Sequence, residues 1–428
     1  MRLELGYIHI KDVQFGEATK LDNGTLFVNK AEMIEALGKD ERIASIDIEI
    51  VHPGDSVRII PVKDVIEPRV KVAGPGNVFP GMLGKVDMVG EGRTHVLQGM
   101  AVVTTGKIVG FQEGIIDMSG PGAEYTPFSS LHNVVVIVEP KDGVLQHDHE
   151  AAVRIIGFKA AAYLAEAGRD AKVDEEKVYE HLPIHKSAEK YADLPKVVYV
   201  YMLQTQGLLH DTYVYGVDAK QILPTLISPT EVFDGAIVSG NCVSACDKNP
   251  TLVHCNSPVI TELLERHGVD YNFIGVVITN ENVTLIDKER SSNYVAKLVE
   301  MLGADAIIVS EEGFGNPDAD LMMNCIKNEK KGVKTVLLTD EYAGRDGGSQ
   351  SLADANPLAD AVITNGNANE VIVLPPMDKV IGHPEVANVI AGAWFGSLRE
   401  DGSIETEIQA ITGATNELGY HKLTAKEI

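Results

Sequence analysis

Three of the chain's four cysteines fall in one short stretch, Ser239-Gly240-Asn241-Cys242-Val243-Ser244-Ala245-Cys246 continuing to His254-Cys255. A thiol can serve as nucleophile, redox group or metal ligand. Just upstream, Ala236-Ile237-Val238 reads as a short apolar strand that ends in the small polar turn Ser239-Gly240-Asn241. Such a turn lets a peptide bond bend toward its own side chain. The Cys242 thiol can attack the Asn241 carbonyl and move the acyl group from nitrogen to sulfur. Base-promoted β-elimination of the thioester leaves dehydroalanine, which tautomerises and hydrolyses to an N-terminal pyruvoyl group. The reaction needs small neighbours and oxyanion donors, for which Ser239, Ser244 or backbone N–H groups qualify. Spacing by itself favours the plainer alternative, a buried cysteine after a strand.

The other thiols carry less. Cys242, Cys246 and Cys255 with His254 supply four zinc-type ligands, but the adjacent His254 and Cys255 rarely face one ion, so no metal is assigned. Cys246, His254 and Cys255 are left either supporting the turn or packing beside it. Cys325 shares the apolar side of a predicted helix with Leu321 and Met322 and reads as core. His147-Asp148-His149-Glu150 reads as a polar loop whose acids favour the N-terminus of the helix that follows. Thr104-Thr105-Gly106-Lys107 lacks the spacing of a phosphate loop.

The elements that must position the turn come in two styles. Up to about residue 130 the pattern is β-rich: Thr25–Val28, the alternating Ala44–Val51, and Ser56–Ile60 after the turn His52-Pro53-Gly54-Asp55. One helix, capped by Asn29 and closed by Gly38, interrupts it. The glycine- and proline-dense stretch 74–122 reads as loop-rich. From about Asn133, strands and helices alternate. Val134–Val138 reads as a strand covered on both faces, and Ala151–Ala167 as a helix that stops at Gly168. Further strands are expected at Lys196–Met202, Phe273–Ile278, Ala306–Val309, Thr335–Leu338 and Ala361–Ile363. Helices are expected after Ser257-Pro258, near Asn293–Leu302 and after Asn316-Pro317. This spacing predicts an α/β fold: a β-rich N-terminal domain (1–130), an α/β region (131–241), and an α/β domain (242–428) with a largely parallel, flavodoxin- or Rossmann-like sheet. Parallel sheets bind ligands beyond the carboxyl ends of their strands. That rule picks out Gln204, Gln206, Glu311 and Asn365 as substrate-binding candidates.

Composition narrows the class. A net charge of −25 with 44% hydrophobic and 23% charged residues describes an acidic globular protein and argues against nucleic-acid binding. No apolar run reaches the roughly 18–20 residues of a membrane span. Met1-Arg2-Leu3-Glu4 does not read as a signal peptide, and four cysteines suit reduced thiols, so a cytoplasmic location is expected.

The run Ser-Gly-Asn-Cys-Val-Ser-Ala-Cys-Asp-Lys-Asn at 239–249, the opening Met-Arg-Leu-Glu-Leu-Gly and Val78-Phe79-Pro80-Gly81 together resemble a known family. It is the proprotein of component B of the glycine, sarcosine and betaine reductases, and the resemblance covers the whole chain, nearest the glycine member. It implies cleavage between Asn241 and Cys242 into a β subunit (1–241) and an α subunit (242–428) that stay associated, within a higher oligomer, with Cys242 becoming the pyruvoyl cofactor. It implies a fermentative oxidoreductase in which glycine binds as an imine on that group and is reductively deaminated to acetyl phosphate and ammonia with a thioredoxin couple. The implied partners are a selenoprotein subunit of component B and the small selenoprotein A. The alternatives are an unprocessed binding or scaffold subunit, or a sarcosine, betaine or proline reductase subunit.

Overall fold

The computed structural model describes residues 1–207, 209–240 and 249–418. The expectations for Asn241, Cys242, Ser244 and Cys246 lie outside the described residues.

From Lys196 onward the chain supplies five parallel strands, β1 (Lys196–Leu203), β2 (Asn272–Asn280), β3 (Ala306–Ser310), β4 (Lys334–Glu341) and β5 (Val362–Asn367). They lie in the order β2-β1-β3-β4-β5, with the short strand Thr225–Ile227 antiparallel on the β2 edge. This is the flavodoxin-like winding, in which the chain starts mid-sheet and reverses direction between β1 and β3. The central β1 and β2 are near-continuous apolar runs because both their faces are covered, and every residue of β2 is buried; the edge strand β5 is largely exposed.

The two covers differ. Helices α3 (Leu285–Leu302) and α4 (Asn316–Glu329) both pack on one face, where Val295, Val299, Leu321 and Cys325 meet Val198, Val200, Ile307 and Val309. On the other face Tyr199, Tyr201, Val276 and Ile278 meet the short helices α1 (Thr251–Cys255) and α2 (Pro258–Glu265). The same cluster continues into Val62, Val65, Val103 and Val135 of the N-terminal region. A β layer thus stands where a doubly wound fold would carry helices, and one core runs through both halves of the chain.

The N-terminal region is β-rich. One four-stranded sheet contains Ile43–Val51, His132–Pro140, Met100–Gly106 and Asp64–Ile66; another contains Glu175–Glu180, Arg2–His9, Gly92–Gln98 and Arg69–Ala73. Strand Lys379–Gly382 returns from the C-terminal part to pair in parallel with Val57–Val62.

Several local readings change. The stretch 74–122 holds three strands as well as loops, because its glycines act at the joints. Gly99, at φ 94°, separates Gly92–Gln98 from Met100–Gly106, and a Cβ there would lie 2.7 Å from the Ile10 carbonyl. The alanine-rich helix begins at Gln146, so His147–Glu150 forms its first turns rather than a loop. Glu150 is buried there and accepts from Arg154 Nε at 2.9 Å, an i,i+4 pair. Helix α3 starts at Leu285, earlier than its apolar periodicity suggests. The hydroxyl of Thr284 caps it by accepting from the Asp287 N–H, and its first turns carry the charged Asp287-Lys288-Glu289-Arg290.

Candidate active site at the carboxyl ends of the parallel strands

The strand before the cysteine stretch is short, Ile237–Ser239, and both sides of the stretch are anchored. The Ser239 N–H donates to Thr251 Oγ1 at 3.0 Å. Thr251 in turn donates to the Asp64 carboxylate through Oγ1 (2.6 Å) and its N–H (2.9 Å). The Gly240 N–H donates to the Asp211 carbonyl at 2.6 Å. A Cβ at Gly240 would collide with the His210 carbonyl, so only glycine fits. The Ser239 hydroxyl is already committed, donating to the Gly240 carbonyl at 2.8 Å.

Beyond these anchors the strand ends converge, as the switch-point rule requires. Gln204 follows β1, Glu281 follows β2, Glu311-Glu312 follow β3 and Asp340 lies near the end of β4. Glu312 is the centre of the network and is wholly buried. Its Oε2 accepts from the Gln204 N–H at 2.6 Å; its Oε1 accepts from the Asn249 N–H at 2.9 Å and from the Asn249 amide at 3.1 Å. Its own N–H donates to Glu281 Oε1 at 2.7 Å. The Asn249 amide also donates to Glu417 Oε1 at 2.6 Å, which brings the C-terminal segment into the group.

His254, also wholly buried, sits between Tyr201, whose hydroxyl is 2.7 Å from Nδ1, and Glu312, whose Oε1 is 3.5 Å from Nε2. Burial pushes the Tyr201 phenol well above its ordinary range, so it keeps its proton at neutral pH. The two ring nitrogens thus face a phenol on one side and a carboxylate on the other.

Electrostatics separates the acids from ordinary carboxylates. Glu281, Glu311 and Glu417 are all pushed well above the usual range, first by burial and then by neighbouring carboxyls. Those neighbours are Glu312 for Glu281, Asp318 for Glu311 and Asp340 for Glu417. Low dielectric and like charge both favour the neutral acid. Protonated carboxyls beside an imidazole–carboxylate pair can hold, give up and return protons without solvent.

The other expected residues are placed as follows. Gln204 joins the network directly, and its Oε1 accepts from the Gln206 N–H at 2.9 Å. Gln206 reaches along the rim, donating to the Asn282 carbonyl at 3.0 Å. Glu311 accepts from the Thr339 hydroxyl, and Asn365 donates to the Asn416 carbonyl. Cys255 points into the N-terminal core, where burial pushes its thiol up to about 12, too high for a nucleophile. Cys325 is core, its thiol pushed up to about 11 by the same cause. Asn249 had stood only at the end of the resembling run; Asp64, Tyr201, Asp211, Thr251, Glu281 and Glu417 had not been singled out. Glu281 occupies the same strand-end position that had marked Glu311. For Asp64 and Glu417 no sequence signal exists, since tertiary folding alone brings them in.

Residues 1–426 match the family described as glycine/sarcosine/betaine reductase component B subunits. The chain belongs to this family. Two of its relatives are glycine reductase complex component B subunits alpha and beta. The one from Acetoanaerobium sticklandii is 70% identical over 428 residues, and the one from Peptoclostridium acidaminophilum is 67% identical over 426; each match covers 100% of both chains. The sarcosine reductase complex component B subunit alpha of Peptoclostridium acidaminophilum is 58% identical over 426 residues, again 100% of both chains. No solved structure matches. Within the described residues no helix is long and apolar enough to cross a membrane. Family membership gives the anchored turn its chemical context: it carries the Asn-Cys pair at which the family resemblance places the cut.

Proposed function

We propose that this chain is the proprotein of the α and β subunits of component B in a glycine reductase complex, divided at Asn241–Cys242. The observation that carries the substrate is the identity gradient, 70% and 67% to glycine reductase subunits against 58% to the sarcosine one, at full coverage. The anchored turn supports the cut. Gly240 is the residue before Asn241, and two Cα steps of about 3.8 Å limit how far Cys242 can be from it. Sulfur attack on the Asn241 carbonyl transfers the acyl group from the Cys242 nitrogen. Removal of the Cα proton then expels the thiocarboxylate on residue 241, and water replaces the nitrogen of the resulting imine, releasing ammonia. The proton steps need a base out of bulk water, and the His254–Glu312 pair, one residue group beyond Asn249, is suited to it.

The residues present fit a pyruvoyl group at 242: Gly240 leaves no side chain before it, and Asn249 Oδ1 is a buried polar atom without a hydrogen-bond partner among the described residues. When formed, the group supplies a ketone carbonyl that is electrophilic toward an amine. Around it, Gln204 and the neutral acids offer donors and acceptors that orient a small zwitterion while the packed strand ends exclude water. The selenoprotein partners implied by the resemblance supply the reducing chemistry, and the −25 charge leaves ample acidic surface for complementary subunits.

The cut would not free the fragments. β1 belongs to residues 1–241 yet lies between β2 and β3, which belong to 242–428, with eight and five paired residues on its two sides. Strand Lys379–Gly382 adds a second crossing at Val57–Val62. Denaturing electrophoresis and intact mass of purified protein test the proposal. Two fragments meeting at 241/242, the second blocked to N-terminal sequencing, are expected, with Cys242→Ala giving one band. A single full-length band from material that releases ammonia from glycine would overturn it.

A further inference from the structure

The reaction just described uses nothing from the outer sheets of the N-terminal region, yet three metal-ligating side chains meet there. Asp12 opens strand Asp12–Phe15, His52 follows strand Ile43–Val51, and His132 opens strand His132–Pro140. Antiparallel pairing sets Asn133 opposite Val51, which places the two histidines one residue beyond a matched pair. Their rings meet edge-on with centroids 5.5 Å apart. One ligand atom from each of Asp12, His52 and His132 lies within 4.8 Å of the others, and His52 Nε2 is 3.4 Å from Asp12 Oδ1. All three residues are half-buried.

We propose that Asp12, His52 and His132 bind a divalent transition metal of the zinc class, with Asp55 orienting His52. Two imidazoles and one carboxylate form a three-ligand set that leaves positions for water. The surroundings are those a ligating histidine requires. His52 Nδ1, the nitrogen turned away from Asp12, is 3.5 Å from Asp55 Oδ2, and that same oxygen accepts from the His52 N–H at 2.8 Å. A carboxylate behind the imidazole fixes its orientation. Among the described residues the buried His132 Nδ1 has no hydrogen-bond partner, which a bound ion would explain. Before metal binds, the Val13 carbonyl, 3.0 Å from His52 Nε2, holds the ring in the cluster.

Topology says what the ion would do. Asp12–Phe15 belongs to a three-stranded sheet with Thr25–Val28 and Lys20–Asp22, whereas His52 and His132 flank strands of a separate four-stranded sheet. The metal would cross-link two sheets that the contact of His52 Nε2 with the Val13 carbonyl already bridges.

Full-length protein stripped with EDTA and dialysed is titrated with zinc alone by calorimetry, with bound metal counted by mass spectrometry and its ligands read by X-ray absorption. One saturable equivalent in a nitrogen/oxygen shell is expected, with a higher Tm for the loaded protein. His52→Gln and His132→Gln should each abolish that equivalent and the Tm rise. Asp55→Asn should weaken binding about 10–100-fold. Asp12→Asn, at a site whose carboxylate is one-third exposed, gives the same loss if the histidine changes disturb folding. No saturable equivalent, sulfur in the shell, or undiminished binding in these variants would overturn the site.

Discussion

Buried charge is handled in two ways in this protein. In the N-terminal region several buried acids have a cation against them. Arg58 forks onto Asp117 at 2.7 and 2.8 Å, Lys63 meets Glu113 at 2.7 Å, Arg69 meets Glu67 at 2.6 Å, and Lys71 meets Asp234. At the carboxyl ends of the parallel strands the acids are grouped together, and Glu281, Glu311 and Glu417 have no Lys or Arg partner among the described residues. A paired charge in low dielectric is fixed and chemically inert; a carboxyl kept neutral by burial and like charge can take part in proton transfer. The first arrangement builds the β platform, and the second suits the processing and amine chemistry proposed for this site.

The largest effect expected on this contrast is at the network's centre. Glu312→Ala should slow formation of the two fragments by about a hundredfold or more, the usual scale of a positioned proton-transfer group. Densitometry of the full-length band against time reads it, and wild-type kinetics would remove Glu312 from the processing machinery. Next comes the paired region. Lys63→Met strands the wholly buried Glu113 and should cost about 3–5 kcal/mol in denaturant unfolding, whereas Lys63→Met combined with Glu113→Leu should recover most of it. A single variant as stable as the double would erase the distinction between the two regions.

Smaller shifts follow from titration. Because Glu281 has a raised folded pKa, its contribution is complete below the ordinary carboxylate value near about 4.3 and is lost as pH rises through the folded value. Glu281→Gln should therefore gain stability relative to wild type as pH increases, read as converging and then crossing Tm curves. Asp40 behaves oppositely: its side-chain hydrogen bonds with Arg42 hold it at about 2. Its contribution is present above about 3.9 and is lost as pH falls through about 2. This pair is partly exposed, so Asp40→Asn should cost under about 1 kcal/mol at neutral pH, and less still in high salt.

Much of the frame was legible in residue order. Apolar runs spaced by helices marked all five parallel strands, most plainly β1 and β2, which are covered on both faces. Ser257-Pro258 and Asn29 with Gly38 marked helix ends, because end geometry demands those residue types. The helix start at Gln146 was missed because His149 and Glu150 are polar yet turn inward, and an inward polar residue is explained only by what it meets.

Of the site, the sequence by itself marked the Ser239-Gly240 strand end, the Asn241–Cys242 pair that follows it, and Gln204 and Glu311 at strand ends. Those are local facts of backbone freedom and strand position. Only the tertiary structure decided which acid stands at the centre, that Asp64 anchors Thr251 from 187 residues away, and that Asn249 joins Glu312 to Glu417. The physical reason is that hydrogen bonds and desolvation depend on distance in space, whereas sequence records only distance along the chain. Strand order supplies the conversion, since β1 and β3, far apart in the chain, become neighbours at the reversal point.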